Sequence, residues 1–347
     1  MDAGAVHGEG KKGRVMDFGT ITADIDSLEH TNLHDVKEIK IYVIVDEDVV
    51  ETIKGPEFLD ELIHLDTQQK YVVKEFMNPS IQHRALGHTK HSFMMRELAG
   101  FKHVIPLVKK HKIIGIPYKK YILIGFEIIM KNKGIIYDGT TSRCFTINRK
   151  CSQTMSESVV NQFSDKQFTQ FVTDILQILM DIQKHDVAHG DIKLDNIMKC
   201  NNNYELIDWE YNRPLEYMFL KKHRYLGLSP IYFKILYGNA WYPAFKLSWG
   251  NFFKETGGYD TYMHSTYMDN IVAYYKQLMD NATDEEVFEM TKYSLDLCAF
   301  GMVLYGIMLR NSKIKKSHHK FIMNLFKMDN AEMALKLFRS NKTKKHK

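Results

Sequence analysis

The sequence has few cysteines, few prolines and no long apolar run, and these absences exclude several classes of protein. The four cysteines among 347 residues form no C-x-x-C pair, so we expect reduced thiols rather than a zinc site or a disulfide framework. No apolar segment follows the start of the chain or is long enough to span a membrane. These absences predict an intracellular, cytoplasmic protein with no membrane span.

Charge and composition are ordinary for a globular protein. The net charge is +5, from 47 basic and 42 acidic residues, and this small excess does not favour nucleic-acid binding as the main function. Aromatic residues make up 12% of the chain, which argues against disorder. The length is sufficient for two modest lobes or one large domain.

The first part of the chain is rich in β-branched and aromatic residues. Its patterns predict strands at 39–50, 70–76, 113–116 and 121–129 and one helix at 92–99. A polar stretch over 131–160 predicts an irregular inserted loop. The first part therefore favours a small lobe built on a sheet.

The second part is mainly helical. Apolar residues recur at helical spacing over 164–184, and Ser164 with Gln167 predicts a capping box. Short strands are predicted at 196–199 and 204–209, around an Asn-rich turn. Residues 235–290 have the character of an insertion, and the basic tail 342–347 is predicted to be disordered.

The segment from His189 to Asn196, with the sequence His-Gly-Asp-Ile-Lys-Leu-Asp-Asn, carries groups suited to phosphoryl transfer. Asp191 can accept a hydroxyl proton, and Lys193 can neutralise charge on a moving phosphoryl group. Asn196 and Asp208 offer hard oxygen ligands of the kind that Mg²⁺ prefers. The pattern predicts catalytic roles for Asp191 and Lys193 and a metal site at Asn196 and Asp208.

The order H-x-D-x-K-x-x-N, followed by an Asp after a short strand, resembles the catalytic and magnesium-binding loops of the protein kinase superfamily. A second stretch, Asp-Leu-Cys-Ala-Phe-Gly at 296–301, resembles the D-x-W-S-x-G helix of eukaryotic-type kinases. The resemblance implies that Asp296 is buried and hydrogen-bonds the backbone of the catalytic loop.

Three residues of the first part match nucleotide-binding positions of the same family. Val-Val-Lys at 72–74 resembles the V-A-I-K strand, so Lys74 is implied to contact ATP phosphates and Glu97 to be its partner. Leu-Ile-Gly-Phe-Glu at 123–127 resembles the strand before the adenine hinge, with Glu127 opening the hinge. Residues 8–15 fit G-x-G-x-x-G-x-V, but they precede Lys74 by about sixty residues, and a flexible terminus explains them equally well.

Departures from the family pattern leave alternatives open. Gly190 replaces a common Arg, so control by phosphorylation of an activation loop is not expected. Residues 227–232 resemble part of a substrate-docking loop, but the A-P-E that should follow is missing.

The string Ile-Asp-Trp-Glu at 207–210 also resembles small-molecule kinases of the aminoglycoside and choline type, although these generally lack a residue like Lys193. A catalytically dead relative that acts as a binding module is the third possibility.

The resemblance implies an α+β, bilobal protein kinase-like fold. Its β-rich N-lobe would cover about 1–130 and its helical C-lobe about 131–347, with ATP and Mg²⁺ as cofactors. The implied reaction transfers the γ-phosphate to Ser or Thr of a protein substrate, because Lys193 fits the Ser/Thr pattern. The divergence is similar to that of kinases encoded by large DNA viruses, which would place the protein in host cytoplasm or virion.

Overall fold

The structure is a computed structural model, and the chain it describes is a mixed α/β protein with antiparallel sheets. It divides into two compact units, Met1–Cys151 and Ser152–Lys347. Apart from a few single positions, the described residues are 6–9, 13–17, 36–45, 48–53, 71–85, 87–102, 124–130, 143–209, 213–214, 273–278 and 294–343.

The first unit is built on a seven-stranded antiparallel sheet with the order β1-β2-β5-β7-β6-β3-β4. The strands are β1 (Val6–Glu9), β2 (Gly13–Asp17), β3 (Val36–Val45), β4 (Asp48–Ile53), β5 (Tyr71–Phe76), β6 (Ile124–Met130) and β7 (Arg143–Arg149). Their β-branched and aromatic content suits a pleated surface with one covered face.

Two helices accompany this sheet, α1 (Ile81–Ala85) and α2 (Lys90–Lys102). Helix α2 buries Phe93, Met94 and Leu98. It approaches the sheet closely at Gly125 of β6, where a Cβ atom would lie 3.0 Å from Leu98 Cδ1 and 3.3 Å from Met94 Sδ. A residue without a side chain at position 125 therefore allows this close packing.

The second unit is mainly helical. Its helices are α3 (Glu157–Val160), α4 (Asp165–Gln183), α5 (Ser294–Arg310), α6 (His318–Leu325) and α7 (Ala331–Thr343). Its strands are β8 (Gln153–Thr154), β9 (Val187–Ala188), β10 (Ile197–Cys200), β11 (Asn203–Leu206) and β12 (Arg213–Pro214). They form a three-stranded sheet, β11-β10-β8, and a two-stranded sheet, β12-β9.

Helix α4 confirms the predicted apolar stripe. Phe168, Phe171, Val172 and Ile175 are fully buried, and Phe171 lies 5.8 Å from Phe300 of α5, measured between ring centroids. The helix begins with the predicted capping box, in which Ser164 Oγ accepts from the backbone N–H of Gln167 and the Gln167 side chain accepts from the backbone N–H of Ser164. Periodicity and cap therefore predicted this helix almost to the residue.

Other sequence expectations have mixed outcomes. Strand β5, helix α2 and the strand pair β10 and β11 are confirmed. The predicted strand at 39–50 is two strands, β3 and β4, and the predicted loop at 131–160 contains β7, β8 and α3. The first unit extends to Cys151 rather than to about 130, because β7 pairs with both β5 and β6. The strand predicted at 113–116 and most of 235–290 lie outside the described residues.

The cysteines differ from expectation. Cys151 and Cys200 are disulfide-bonded, whereas Cys144 and Cys298 are not part of a disulfide. The prediction of four reduced thiols is therefore wrong for the first two. The error arose because a disulfide depends on the proximity of two residues in the fold, which cysteine spacing in a sequence does not reveal. Within the described part of the chain, no helix has both the length and the apolar character needed to cross a membrane.

Candidate active site

Lys74 and Glu97 form a partly buried ion pair in the first unit. Lys74 Nζ on β5 lies 2.5 Å from Glu97 Oε2 on α2, and the two side chains are only 18% and 3% exposed. A buried ion pair contributes little net stability, but leaving either partner alone is costly. The pair therefore fixes the position of an amino group on β5 and of helix α2 beside it, as the sequence predicted.

Thr146 on β7 is a neighbour of this pair that the sequence analysis missed. It lies opposite Lys74 in the β5–β7 ladder, and its hydroxyl donates to Glu97 Oε1 over 3.4 Å. Thr146 is fully buried. The sequence predicted an irregular loop at this position and gave no reason to place Thr146 near Lys74. Only the pairing of β7 with β5 brings the two residues together.

The glycine-rich segment at 8–15 lies at the edge of the same sheet. Its flanks form the antiparallel pair β1 and β2, and β2 pairs with β5 so that Val15 is opposite Lys74. The separation of about sixty residues is accommodated because the intervening β3–β4 hairpin joins the sheet elsewhere, beside β6. The segment is thus not a detached terminus, and its backbone pairs with the strand that carries Lys74.

Glu127 does not join Lys74 and Glu97. It is 7% exposed on β6, where its carboxylate contacts the His91 ring and the Tyr42 hydroxyl. Strand β6 leads into β7, and it is β7 that is followed by the start of the second unit. Glu127 therefore lies one strand before the end of the first unit, and its role at an adenine hinge stays a prediction.

In the second unit, Asp191, Lys193 and Asn196 converge as predicted. Lys193 Nζ donates to Asp191 Oδ2 over 2.7 Å, and Asn196 Nδ2 donates to the same oxygen over 2.9 Å. Asn196 Nδ2 also donates to the backbone oxygen of Asp191 over 2.8 Å. The carboxylate is thereby held between a cation and an amide, an arrangement that can orient a hydroxyl group and accept its proton.

Asp296 fixes the backbone of this loop. Its two carboxylate oxygens accept from the backbone N–H of His189, at 2.7 Å, and of Gly190, at 3.0 Å. Asp296 is 5% exposed at the first turn of α5, and burial raises its pKa. Gly190 has a φ of +81°, which glycine adopts without a steric penalty. The contact implied by the sequence between two segments more than a hundred residues apart is present.

His189 and Trp209 form the interior side of the loop. Both are fully buried, their rings meet edge to face with centroids 4.5 Å apart, and Trp209 Nε1 donates to the oxygen of Leu206. His189 Nε2 lies 3.0 Å from the oxygen of Ile207, and burial lowers the pKa of the imidazole. The neutral ring, with its proton on Nε2, can donate to that oxygen and also accept from the backbone N–H of Asp191 at Nδ1.

Asn196 and Asp208 lie on neighbouring chain segments. The backbone N–H of Ile207 donates to the backbone oxygen of Asn196 over 2.9 Å, and this bond continues the β10–β11 ladder by one pair. Asp208 follows with a φ of +62°, a conformation that is uncommon for residues other than glycine and is often found at functional sites. Since both amide hydrogen bonds of Asn196 use Nδ2, its Oδ1 is the atom that it can present to a cation.

Comparison with known proteins does not assign a family. No protein-family model matches the chain, and the search of curated proteins finds no match. The functional assignment therefore depends on the residues and their geometry. Residues 227–232, Glu210 and most of the insertion lie outside the described residues, as do 344–347 of the basic tail.

Proposed function

We propose that this protein is an ATP- and Mg²⁺-dependent phosphotransferase with a bilobal, protein kinase-like fold. The observation that best supports the proposal is the pair of hydrogen bonds from the His189 and Gly190 backbone to Asp296, which the kinase resemblance implied in advance. Asp296 lies 107 residues after His189 and 106 residues after Gly190. If the short motif at 189–196 matched the family by chance, nothing would require a buried carboxylate so far along the chain to accept hydrogen bonds from its backbone.

In the proposed reaction, a hydroxyl oxygen of the substrate bonds to the γ-phosphorus of ATP and the bond to the β-phosphate oxygen breaks, which releases ADP. Asp191 accepts the hydroxyl proton, and Lys193 stabilises charge on the transferred group. Asn196 and Asp208 are the residues that would hold Mg²⁺, since each offers a hard oxygen. Lys74, positioned by Glu97, would contact the ATP phosphates beside the glycine-rich hairpin.

A Ser or Thr hydroxyl of a protein is the proposed acceptor. This choice depends on Lys193, which fits the Ser/Thr pattern within the catalytic loop and which small-molecule kinases of the aminoglycoside and choline type generally lack. Lys193 Nζ contacts Asp191 directly, so the residue that separates the two classes is part of the cluster.

The test is transfer of labelled phosphate from Mg-ATP into generic protein substrates and into the protein itself, followed by identification of the labelled residue type. We expect label on Ser or Thr, and a fall of about 100-fold or more in Asp191→Asn, because the general base is removed. Asp195→Asn is the matched control, since Asp195 is an exposed carboxylate in the same loop, and its activity should be unchanged.

Three results would contradict the proposal. Equal labelling by wild type and Asp191→Asn would remove Asp191 from the chemistry. ATP consumption with choline or an aminoglycoside, without label in protein, would favour the small-molecule kinase. ATP binding without turnover of any acceptor would favour a binding module.

A further inference from the structure

The first unit contains a cluster of three potential metal ligands that the proposed reaction does not use. His91 on α2, Glu127 on β6 and Cys144 on β7 each offer a ligand atom, and these atoms all lie within 4.8 Å of one another. We propose that these residues form a Zn²⁺ site. The residues are 53 positions apart at most, and no C-x-x-C pair marks them in the sequence.

The fold explains why the three residues meet. Glu127 and Cys144 are directly opposite in the β6–β7 ladder, so their side chains project from the same face of the sheet. Gly125, two residues before Glu127, shares that face and is a point of close contact with Met94 and Leu98 of α2. His91 precedes Met94 by one helical turn, which places the ring over Glu127.

The contacts are already close to those of a coordination shell. His91 Nδ1 lies 3.1 Å from Glu127 Oε2, and the Tyr42 hydroxyl lies 3.4 Å from each of these atoms. In a tetrahedral Zn²⁺ site with bonds of about 2.0–2.3 Å, ligand atoms lie roughly 3.3–3.7 Å apart. An adjustment of about 1 Å in the side chains would therefore bring all three atoms to bonding distance of one ion.

The charges and ligand types favour zinc over the magnesium of the proposed active site. A thiolate and a carboxylate carry two negative charges, which one divalent ion neutralises together with a neutral imidazole. Glu127 and Cys144 are 7% and 0% exposed, so a metal ion bound between them would be largely shielded from water. Thiolate and imidazole are ligands for zinc-type ions, whereas Mg²⁺ takes oxygen ligands. The His91 side chain is 41% exposed, so an ion can reach the cluster from solvent at this ring.

A second cluster, formed by Cys151, Cys200 and Glu205, does not carry the same proposal. Its ligand atoms also lie within 4.8 Å of one another, but both of its sulfur atoms are engaged in a disulfide and cannot bind a metal ion as thiolates. A metal ion could bind to these sulfur atoms as thiolates only after the disulfide is reduced, so binding in the absence of a reductant distinguishes the two clusters.

The experiment uses Co²⁺ as a spectroscopic substitute for Zn²⁺ in the full chain, after chelator treatment and without reductant. Thiolate coordination gives a sulfur-to-cobalt charge-transfer band, which oxygen and nitrogen ligands do not give. We expect one equivalent of Co²⁺ to produce this band and one equivalent of Zn²⁺ to abolish it, while excess Mg²⁺ has no effect. Zn²⁺ should also raise the thermal unfolding temperature, because it binds the folded chain.

Variants assign the ligands. Cys144→Ser should eliminate the band, and His91→Ala should weaken Co²⁺ binding by at least about tenfold. His91 is partly exposed, so its variant remains informative if Cys144→Ser fails to fold. Cys298→Ser is the control that should retain the band, since Cys298 is a free thiol outside the cluster. A wild-type protein without the band, or a band that survives Cys144→Ser or disappears in Cys298→Ser, would overturn the proposal. None of these readouts depends on phosphotransfer, so this proposal and the proposed function fail separately.

Discussion

At the scale of single residues, Asp296 determines how the loop at 189–196 is held. Each of its two oxygens accepts one backbone N–H, so replacing one oxygen with an NH₂ group places a donor against a donor. In Asp296→Asn we expect the free energy of unfolding to fall by about 1–3 kcal/mol, the usual cost of leaving a buried donor unsatisfied. Urea unfolding measures this loss, and Asp195→Asn is the exposed control.

The same variant tests whether Asp296 acts only through the loop. Since Asp296 contacts the loop backbone, its loss should lower kcat and leave the KM for ATP nearly unchanged. A large rise in KM with an unchanged kcat would contradict a positioning role.

His189 predicts a specific dependence of stability on pH. Burial lowers the pKa of its imidazole below the ordinary value of 6.5, so the unfolded chain binds a proton that the folded chain does not. Above pH 6.5 the contribution of His189 to the free energy of unfolding is fully present. It is lost as the pH falls through the lowered pKa of the folded state. The raised pKa of Asp296 acts in the opposite sense, since there the folded state binds the additional proton and stability falls as the pH rises above 3.8.

Urea midpoints between about pH 5 and pH 7.5 measure the histidine contribution. The slope of stability against pH should decrease in His189→Gln and stay the same in His185→Gln, which alters an exposed histidine four residues away. Equal slopes in wild type and His189→Gln would show that the buried ring does not control this dependence.

At the scale of elements, the capping box of α4 offers a quantitative comparison. Ser164 Oγ accepts from the backbone N–H of Gln167, whereas Ser156, at the equivalent position of α3, makes no side-chain cap hydrogen bond. Ser164→Ala should therefore destabilise the protein by about 1 kcal/mol, and Ser156→Ala should have little effect. Thermal unfolding of both variants checks the difference, and similar losses would mean that the cap is not the cause.

Elements whose signals are local were predicted well from the sequence. Helix α4 has an apolar stripe and a cap, and β5 is a short β-branched run, so each depends on residues that are neighbours along the chain. Strand β7 was missed although Cys144, Phe145 and Ile147 are buried in it. A short apolar run between polar segments is ambiguous, and pairing with β5 and β6 decides its conformation.

At the scale of the whole molecule, the disulfide gives a direct prediction of thiol content. Denatured, non-reduced protein should show two reactive thiols, from Cys144 and Cys298, and reduction should raise the number to four. In the native state Cys298 should react slowly at neutral pH, because burial raises its pKa to about 12. Thiol titration before and after reduction measures both, and four thiols without reduction would contradict the disulfide.

The sequence was sufficient to predict which residues of the loop in the second unit meet. The order and spacing of Asp191, Lys193 and Asn196 place them on one tight loop, where short-range geometry permits few arrangements. Their hydrogen bonds confirm that they converge. The resemblance also anticipated the contact of Asp296 with the loop and the pairing of Lys74 with Glu97, although each joins distant segments.

Only the tertiary structure decided which strands are neighbours. It placed the glycine-rich segment beside β5, brought His91, Glu127 and Cys144 together, and placed Cys151 and Cys200 in a disulfide. Strand pairing uses backbone N–H and C=O groups, which every residue carries except for the N–H of proline, so side-chain patterns rarely specify the partner. A partner strand is selected by the packing of the complete sheet, and that information is distributed over the whole chain.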